Sequence, residues 1–372
     1  MKLSKQFIGV DLHTNRFTCC YRDEVSEGKS EKRTQTFRLD SLGLAEFYQT
    51  LTSESYVLIE ATITTFAFVR LIQPLVKEVI VANTYELKQI SLARKNTDKV
   101  DADILCRIIK MQVLSGENAV SPVTIPPFEI QELRSLFTTY RFYKKQSVQI
   151  KNRIHSLLKE RLYGFTQEEI FDKKSRKRLR EMESDKVLSF QINSLFDSLE
   201  YLEGKIFSLK DMIQEQAEPW FREIEILTSM KGVSVFIAIA VIADIIKVDR
   251  FKNSKSFTSY LRSAPQVVSS NTSSRILGTN KMGRKLSSTL IIQSLNHVLN
   301  SSPKLDKWYK NLTQYKKAGL VRTGLRRRVF AEIFQMLKKG EYHYGRDKQN
   351  HEAKLLQYRN FLIKRKNLLE TA

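Results

Sequence analysis

The chain is 372 residues long and 42% hydrophobic, enough material for two or three structural units. Its 62 Lys and Arg against 40 Asp and Glu leave a formal charge of +22, an excess that attracts a polyanion, either a nucleic acid or an anionic membrane surface. A membrane span is excluded by the lack of any uninterrupted apolar run of about 20 residues, and a disulfide framework by an odd cysteine count (Cys19, Cys20, Cys106) without metal-ligand spacing.

At the N-terminus, Asp11 and His13 interrupt the apolar run behind the first lysines, so no signal peptide is expected and a reducing cytoplasm is the natural setting. Gln6 to Val10, Phe17 to Tyr21, Tyr56 to Ile59 and Glu78 to Val81 read as strands, and Leu42 to Leu51 and Phe66 to Val76 as helices. This predicts an α/β layer with a mixed sheet, closing at the cluster Pro122, Pro126 and Pro127. Glu129 to Arg161 reads as a long helix. In a second, Ile192, Leu195, Leu199, Leu202, Ile206, Leu209 and Ile213 repeat at alternating spacings of three and four, a coiled-coil seam. Such seams commonly serve packing within one chain, but the length of this one favours an interface. The basic run Lys173 to Arg180 lies between the two helices and is either a solvated turn or a phosphate contact.

Pro219 breaks the helical pattern, and a third, mostly helical unit begins near Ile224. The tight turn at Gly232, ahead of the apolar stretch Val233 to Ala243, has the shape of a helix-hairpin-helix or of an ordinary helical corner. Then follow the helical segment Phe251 to Leu261, a polar loop Ser269 to Asn280, helices Lys285 to Leu299 and Arg322 to Leu337, and a charged tail from Lys348, a loose helix. The expected division is 1–125 for the α/β domain, 126–222 for a helical arm, 223–345 for the C-terminal domain and 346–372 for the tail.

Asp11 ends the first strand and Glu60 another, at the rim where open α/β sheets place their sites. Asp98 and Asp101, three apart, share one face of a helix, while Asp103 is expected to face solvent. Singly, a strand-end Asp is commonly a turn residue and Asp98 a helix N-terminal acid. Together, four converging carboxylates repel one another unless hard divalent cations sit between them, and such cations serve phosphodiester chemistry.

The segments IGVDLHTN, LIEAT and KNTDKVDADIL resemble the Asp-Glu-Asp-Asp pattern of the RuvC-like domain in bacterial transposases of the insertion-sequence one-ten family, which are bridge-RNA-guided recombinases with the invertase Piv among their relatives. The resemblance implies a RuvC-like (RNase H-like) α/β N-terminal domain, a long helical coiled-coil arm and a mostly α C-terminal transposase domain. It also implies Mg²⁺ held by Asp11, Glu60, Asp98 and Asp101. Single-sequence physics does not choose among Ser269, Ser270, Ser273 and Ser274. The family's C-terminal motif does: Arg250–Phe251, Pro265, Ser270 and Lys281–Gly283 fit its frame, which makes Ser270 the catalytic nucleophile. Asn271 stands where the family has glycine, and Ala264 where a threonine is common.

The expected function is therefore a transposase that cuts and rejoins DNA, guided by a bridge RNA and acting as a homo-oligomer, a dimer or a tetramer on DNA. Nucleic-acid contacts are expected from Lys173, Lys174, Arg176, Lys177, Arg178, Arg180, Lys281 and Arg284. Three rivals stand beside it. A plain RuvC-like nuclease or junction resolvase would need no serine; an actin-like ATPase or sugar kinase would need a glycine-rich adenosine loop, and the chain has only 13 glycines. A nucleic-acid-binding scaffold would bind with or without magnesium.

Overall fold

Seven consecutive residues, Gln6–Leu12 (β1), are buried on both faces, as befits the middle strand of a covered sheet. The computed structural model describes residues 4–23, 32–84, 87, 97–166, 172–181, 185–270, 273–279 and 282–370, without side chains at 173, 267–270, 273–277 and 369–370. It divides into two units, Met1–Pro126 and Pro127–Ala372.

In the first unit β1 pairs antiparallel with Arg16–Asp23 (β2), which pairs antiparallel with Lys32–Arg38 (β3). On its other side β1 runs parallel to Ser55–Glu60 (β4), and β4 to Glu78–Ala82 (β5), giving the order β3-β2-β1-β4-β5 in a mixed sheet. Side chains alternate between two cores. Ile8, Val10 and Leu12 join Phe17, Phe47 and Phe68 beneath the helices Ser41–Tyr48 (α1) and Thr65–Ile72 (α2). Phe7, Cys20 and Leu58 face Ala102, Leu105, Cys106 and Ile109 of the helix Asp98–Ser115 (α3). The expected helix Phe66 to Val76 stops at Ile72 because Pro74 brings no amide hydrogen; Gln73–Leu75 form a 3-10 turn instead. Strand β3 is absent from the sequence reading: only Phe37 of its seven residues is buried, and the rest is polar edge.

The second unit opens with Phe128–Glu160 (α4), followed by Lys173–Glu181 (α5) and Lys186–Gln216 (α6). Ile154, Leu157 and Leu158 at the end of α4 cluster with Leu188 and Ile192 at the start of α6. Ile130, Leu133 and Phe137 at the start of α4 share a core with Ile206 and Ile213 near the end of α6. The two helices are thus an antiparallel pair, and most of the heptad seam is spent on α4 of the same chain: Ile192, Leu199, Leu202, Ile206 and Ile213 are buried.

That core continues through Phe221–Thr228 (α7), Val235–Ile245 (α8) and Ser254–Tyr260 (α9), then Leu286–Ser301 (α10), Pro303–Thr313 (α11) and Ala318–Lys339 (α12). The expected polar loop is instead an antiparallel hairpin, Pro265–Ser270 (β6) and Ser273–Thr279 (β7), with Ser270 opposite Ser273 at its tip. Val267, Val268 and Ile276 supply β-prone residues that the surrounding serines mask in the sequence. The tail is a docked helix, Lys348–Glu370 (α13): Tyr358 and Leu362 are buried in the core, and the Tyr358 hydroxyl donates to the Gln214 carbonyl at 2.8 Å. No described helix is long and apolar enough to cross a membrane.

Candidate active site

Strands β1 and β4 are parallel with Val10 opposite Ile59. The next residues, Asp11 and Glu60, therefore stand at the carboxyl ends of neighbouring strands, with backbones about 4.8 Å apart. Helix α3 reaches the same rim because Gly9 carries no side chain. A Cβ there would collide with the Ala102 carbonyl and the Cys106 amide, and the Cys106 thiol donates to the Phe7 carbonyl at 3.2 Å. The Thr97 side chain caps α3 by accepting from the Val100 amide. Asp98 and Asp101 occupy its first turn, where the positive end of the helix favours carboxylates.

The carboxylates meet around a histidine. His13 Nε2 lies 3.0 Å from Asp11 Oδ2 and 3.4 Å from Asp98 Oδ1, and Arg16 Nη2 donates to Asp98 Oδ2 at 3.0 Å. Ligand atoms of Asp11, His13 and Asp98 all lie within 4.8 Å of one another; Glu60 and Asp101 are outside this group. Burial raises the Asp11 carboxyl above its ordinary range. The charge and hydrogen bond of His13 oppose that rise, and repulsion from Asp101 and Asp98 adds to it. Burial also raises Asp101, with repulsion from Asp98 adding and His13 opposing. Oxygen donors that push up one another's proton affinity are what a hard divalent cation relieves, so the residues present fit such an ion. His13 was missing from the sequence expectation. Its signal is the spacing Asp11-x-His13, which sends both side chains to one face of an extended strand.

Asp103 corrects an expectation. It is buried, not solvent-facing, and pairs with Arg22 at 2.8 Å, Arg107 at 2.6 Å and Lys32 at 3.3 Å. Burial alone would raise its carboxyl. Hydrogen bonds from Arg22, Cys20 and Lys32, and the charge of Arg107, overcome this and hold it at about 2. Asp103 thus braces β2, β3 and α3, the elements that frame the acidic rim.

Residues 8–162 match a family model named for the DEDD transposase of IS110, and residues 224–310 match the model of the transposase IS116/IS110/IS902 family. Together they span well over half of the chain. The chain belongs to the IS110 transposase family. Among curated proteins, none matches it. The transposase is accordingly a DNA-binding enzyme of an insertion sequence, and its DEDD domain suggests divalent-metal use.

In the second unit of the transposase, Ser270 is the last residue of β6, at the hairpin tip; Asn271 and Lys281 lie outside the described residues. The root of the hairpin is fixed by backbone contacts. The Arg284 amide donates to the Tyr260 carbonyl at 2.8 Å, and Arg262 Nε to the Gly283 carbonyl at 2.7 Å. Gly283 has φ +95 and lies so close to Tyr260 that a Cβ would strike its carbonyl, so the family glycine is required here twice over. The basic run forms α5, where two of its cations are already spent. Arg176 grips Glu203 through both terminal nitrogens at 2.7 and 2.8 Å. Arg180 reaches Asp197 at 2.8 Å and Glu200 at 3.2 Å. Lys174, Lys177 and Arg178 remain exposed, although Lys177 stands 3.9 Å from Glu181.

Proposed function

We propose that the transposase cuts and rejoins DNA through a covalent link to Ser270, with Asp11, Glu60, Asp98 and Asp101 holding Mg²⁺. The observation that carries this reading is the crowding of Asp11, Asp98 and Asp101 at one rim, where burial and mutual repulsion raise the Asp11 and Asp101 carboxyls. Magnesium there would neutralise charge on the phosphate and lower the pKa of an attacking oxygen. Arg16 steadies the Asp98 carboxylate by a hydrogen bond, and His13, hydrogen-bonded to Asp11, stands 3.4 Å from that carboxylate. The Ser270 oxygen bonds to phosphorus, the bond from phosphorus to one DNA oxygen breaks, and that oxygen takes the serine proton. The phosphoserine ester conserves the energy for rejoining. In keeping with the family resemblance, the first unit is RuvC-like and the pair α4 and α6 is an arm for assembly. A bridge RNA chooses the target, and the protein acts as a dimer or a tetramer on DNA. Lys174, Lys177 and Arg178 are the members of the basic run that reach phosphates; Lys281 and Arg284 do so in the C-terminal domain.

Denaturing gels of a magnesium-dependent strand-exchange reaction, run with the flanking noncoding transcript, test the proposal. The wild type gives a protein–DNA adduct and Ser270→Ala gives none, while Ser269→Ala and Ser273→Ala retain it. Cleavage by Ser270→Ala with water as nucleophile would make the enzyme a plain RuvC-like nuclease. An adduct that disappears in Ser269→Ala instead moves the nucleophile by one residue.

A further inference from the structure

The root of the β6–β7 hairpin holds more positive charge than the protein neutralises. Arg134 of α4 is deep enough that its Nε donates to the Ala243 carbonyl at 2.7 Å and its Nη2 to the Asp244 carbonyl at 3.1 Å. The guanidinium of Arg250 lies 4.5 Å from the Phe251 ring centre and 4.3 Å from that of Tyr260. Its Nε and Nη2 are buried and meet no hydrogen-bond acceptor among the described residues. Arg284 is anchored beside them by its backbone amide, which donates to the Tyr260 carbonyl, and its charge acts on both Arg134 and Asp244. Arg134 is pulled down to about 10 by burial first and then by repulsion from Arg284, with Arg250 adding to that and Tyr260 and Asp244 opposing.

The nearby carboxylate is a poor counterion. Asp244 is buried and accepts from the Ser287 amide at 2.8 Å and the Ser287 hydroxyl at 2.7 Å; burial raises its carboxyl, and the Ser287 bonds and the charges of Arg284 and Arg134 offset only part of that rise. Nor can a counterion come from the adjoining sequence, because between Asp249 and Asp306 there is no Asp or Glu at all. Three half-buried arginines that share one buried carboxylate, with Arg250 Nε and Nη2 meeting no acceptor among the described residues, leave positive charge for an anion to complete.

We propose that Arg134, Arg250 and Arg284 form a phosphate-binding site at the hairpin root, which takes a backbone phosphate of the DNA strand. The proposal rests on reading the hairpin as the element that carries the DNA-cutting serine. Pro265 and Ser270 are five strand steps apart, about 17 Å at about 3.3 Å per residue. The bound phosphate is therefore not the one attacked but a separate one further along the strand. The site sets the register of the DNA on the hairpin.

The test is fluorescence anisotropy of the full-length protein on a fluorescein-labelled DNA duplex across a KCl series. Arg284→Gln and Arg250→Gln each flatten the slope of log affinity against log salt by roughly 0.9, the value of one lost phosphate contact. Ser270→Ala keeps the wild-type slope. In parallel, inorganic phosphate at matched ionic strength raises the melting temperature of the wild type and not of Arg284→Gln. Circular dichroism guards against misfolding. If Arg250→Gln fails to fold, the Arg284→Gln and Arg284→Lys pair decides, with lysine restoring part of the slope. Unchanged slopes in the folded variants overturn the proposal. So does loss of the phosphate response with an unchanged DNA slope, which would mark a site for a free anion, and so does a flattened slope on an RNA duplex alone. An adduct formed by Ser270→Ala would remove the serine reading and leave the slope measurement standing.

Discussion

Asp103 is held by three cations and a thiol, whereas Asp11 faces two carboxylates and a histidine, so neutralising each has its own expected outcome. Asp103→Asn removes the shared partner of Arg22, Lys32 and Arg107, of which the last two can turn to solvent, and costs about 1.5–3 kcal/mol, the range for a lost hydrogen bond to a charged group, measurable by urea denaturation. Because its folded-state pKa is depressed to about 2, its contribution is complete above its ordinary value of 3.8 and is lost as pH falls through about 2. The wild-type stability curve should therefore fall through that acid window by more than the curve of Asp103→Asn. Asp11→Asn relieves burial and repulsion together. It leaves stability unchanged or raised, abolishes strand cleavage, and removes any rise in melting temperature on adding MgCl₂. The sequence made Asp11, Asp98 and Asp101 legible through strand ends and helical spacing. It set Asp103 apart but expected it to face solvent, because what buries and pairs Asp103 is Arg22, 81 positions away on β2.

Helices and strands repeat this lesson at the next scale. The buried strands were readable from apolar runs, and the heptad pattern from its spacing. Strand β3 and the β6–β7 hairpin were not, since one is a polar edge and the other hides its β-branched residues among serines. Helix α5 reads as a basic strip, but Arg176 is its anchor. Arg176→Ala breaks two short bonds to Glu203 and costs about 1.5–3 kcal/mol, with little effect on the salt dependence of nucleic-acid binding. The double variant Lys174→Ala with Arg178→Ala does the reverse, flattening the slope by roughly 0.7–0.9 per contact without moving the melting temperature. If Arg176→Ala also flattens the slope, α5 is the contact as a whole. Gly9→Ala pries α3 from β1 by inserting a methyl group between backbones. Loss of both stability and magnesium response is expected, because the same contact fixes Asp98 beside Asp11.

Across the whole chain, the second unit depends on its last helix. Removing residues 348–372 takes Tyr358 and Leu362 out of the core, and with them the bond from His351 to the Glu225 carbonyl at 2.8 Å and the Arg365–Glu215 pair at 2.8 Å. A lowered melting temperature and increased binding of an apolar dye are expected, whereas a truncated protein that melts like the full chain would make α13 an ornament. The closing contact between Tyr358 and Gln214 joins residues 144 positions apart. At about 5–20 residues per second, a ribosome takes roughly 7–30 s to synthesise that interval. Throughout it the core that α4, α6 and α7 share with α13 stays incomplete, while the first unit has every residue it needs. Completion of the second core is thus the last folding event: a stop between the first unit and α13 is expected to leave a folded first unit tethered to an unfinished partner. Such truncated chains are expected to be cut by added protease within the second unit sooner than the full chain.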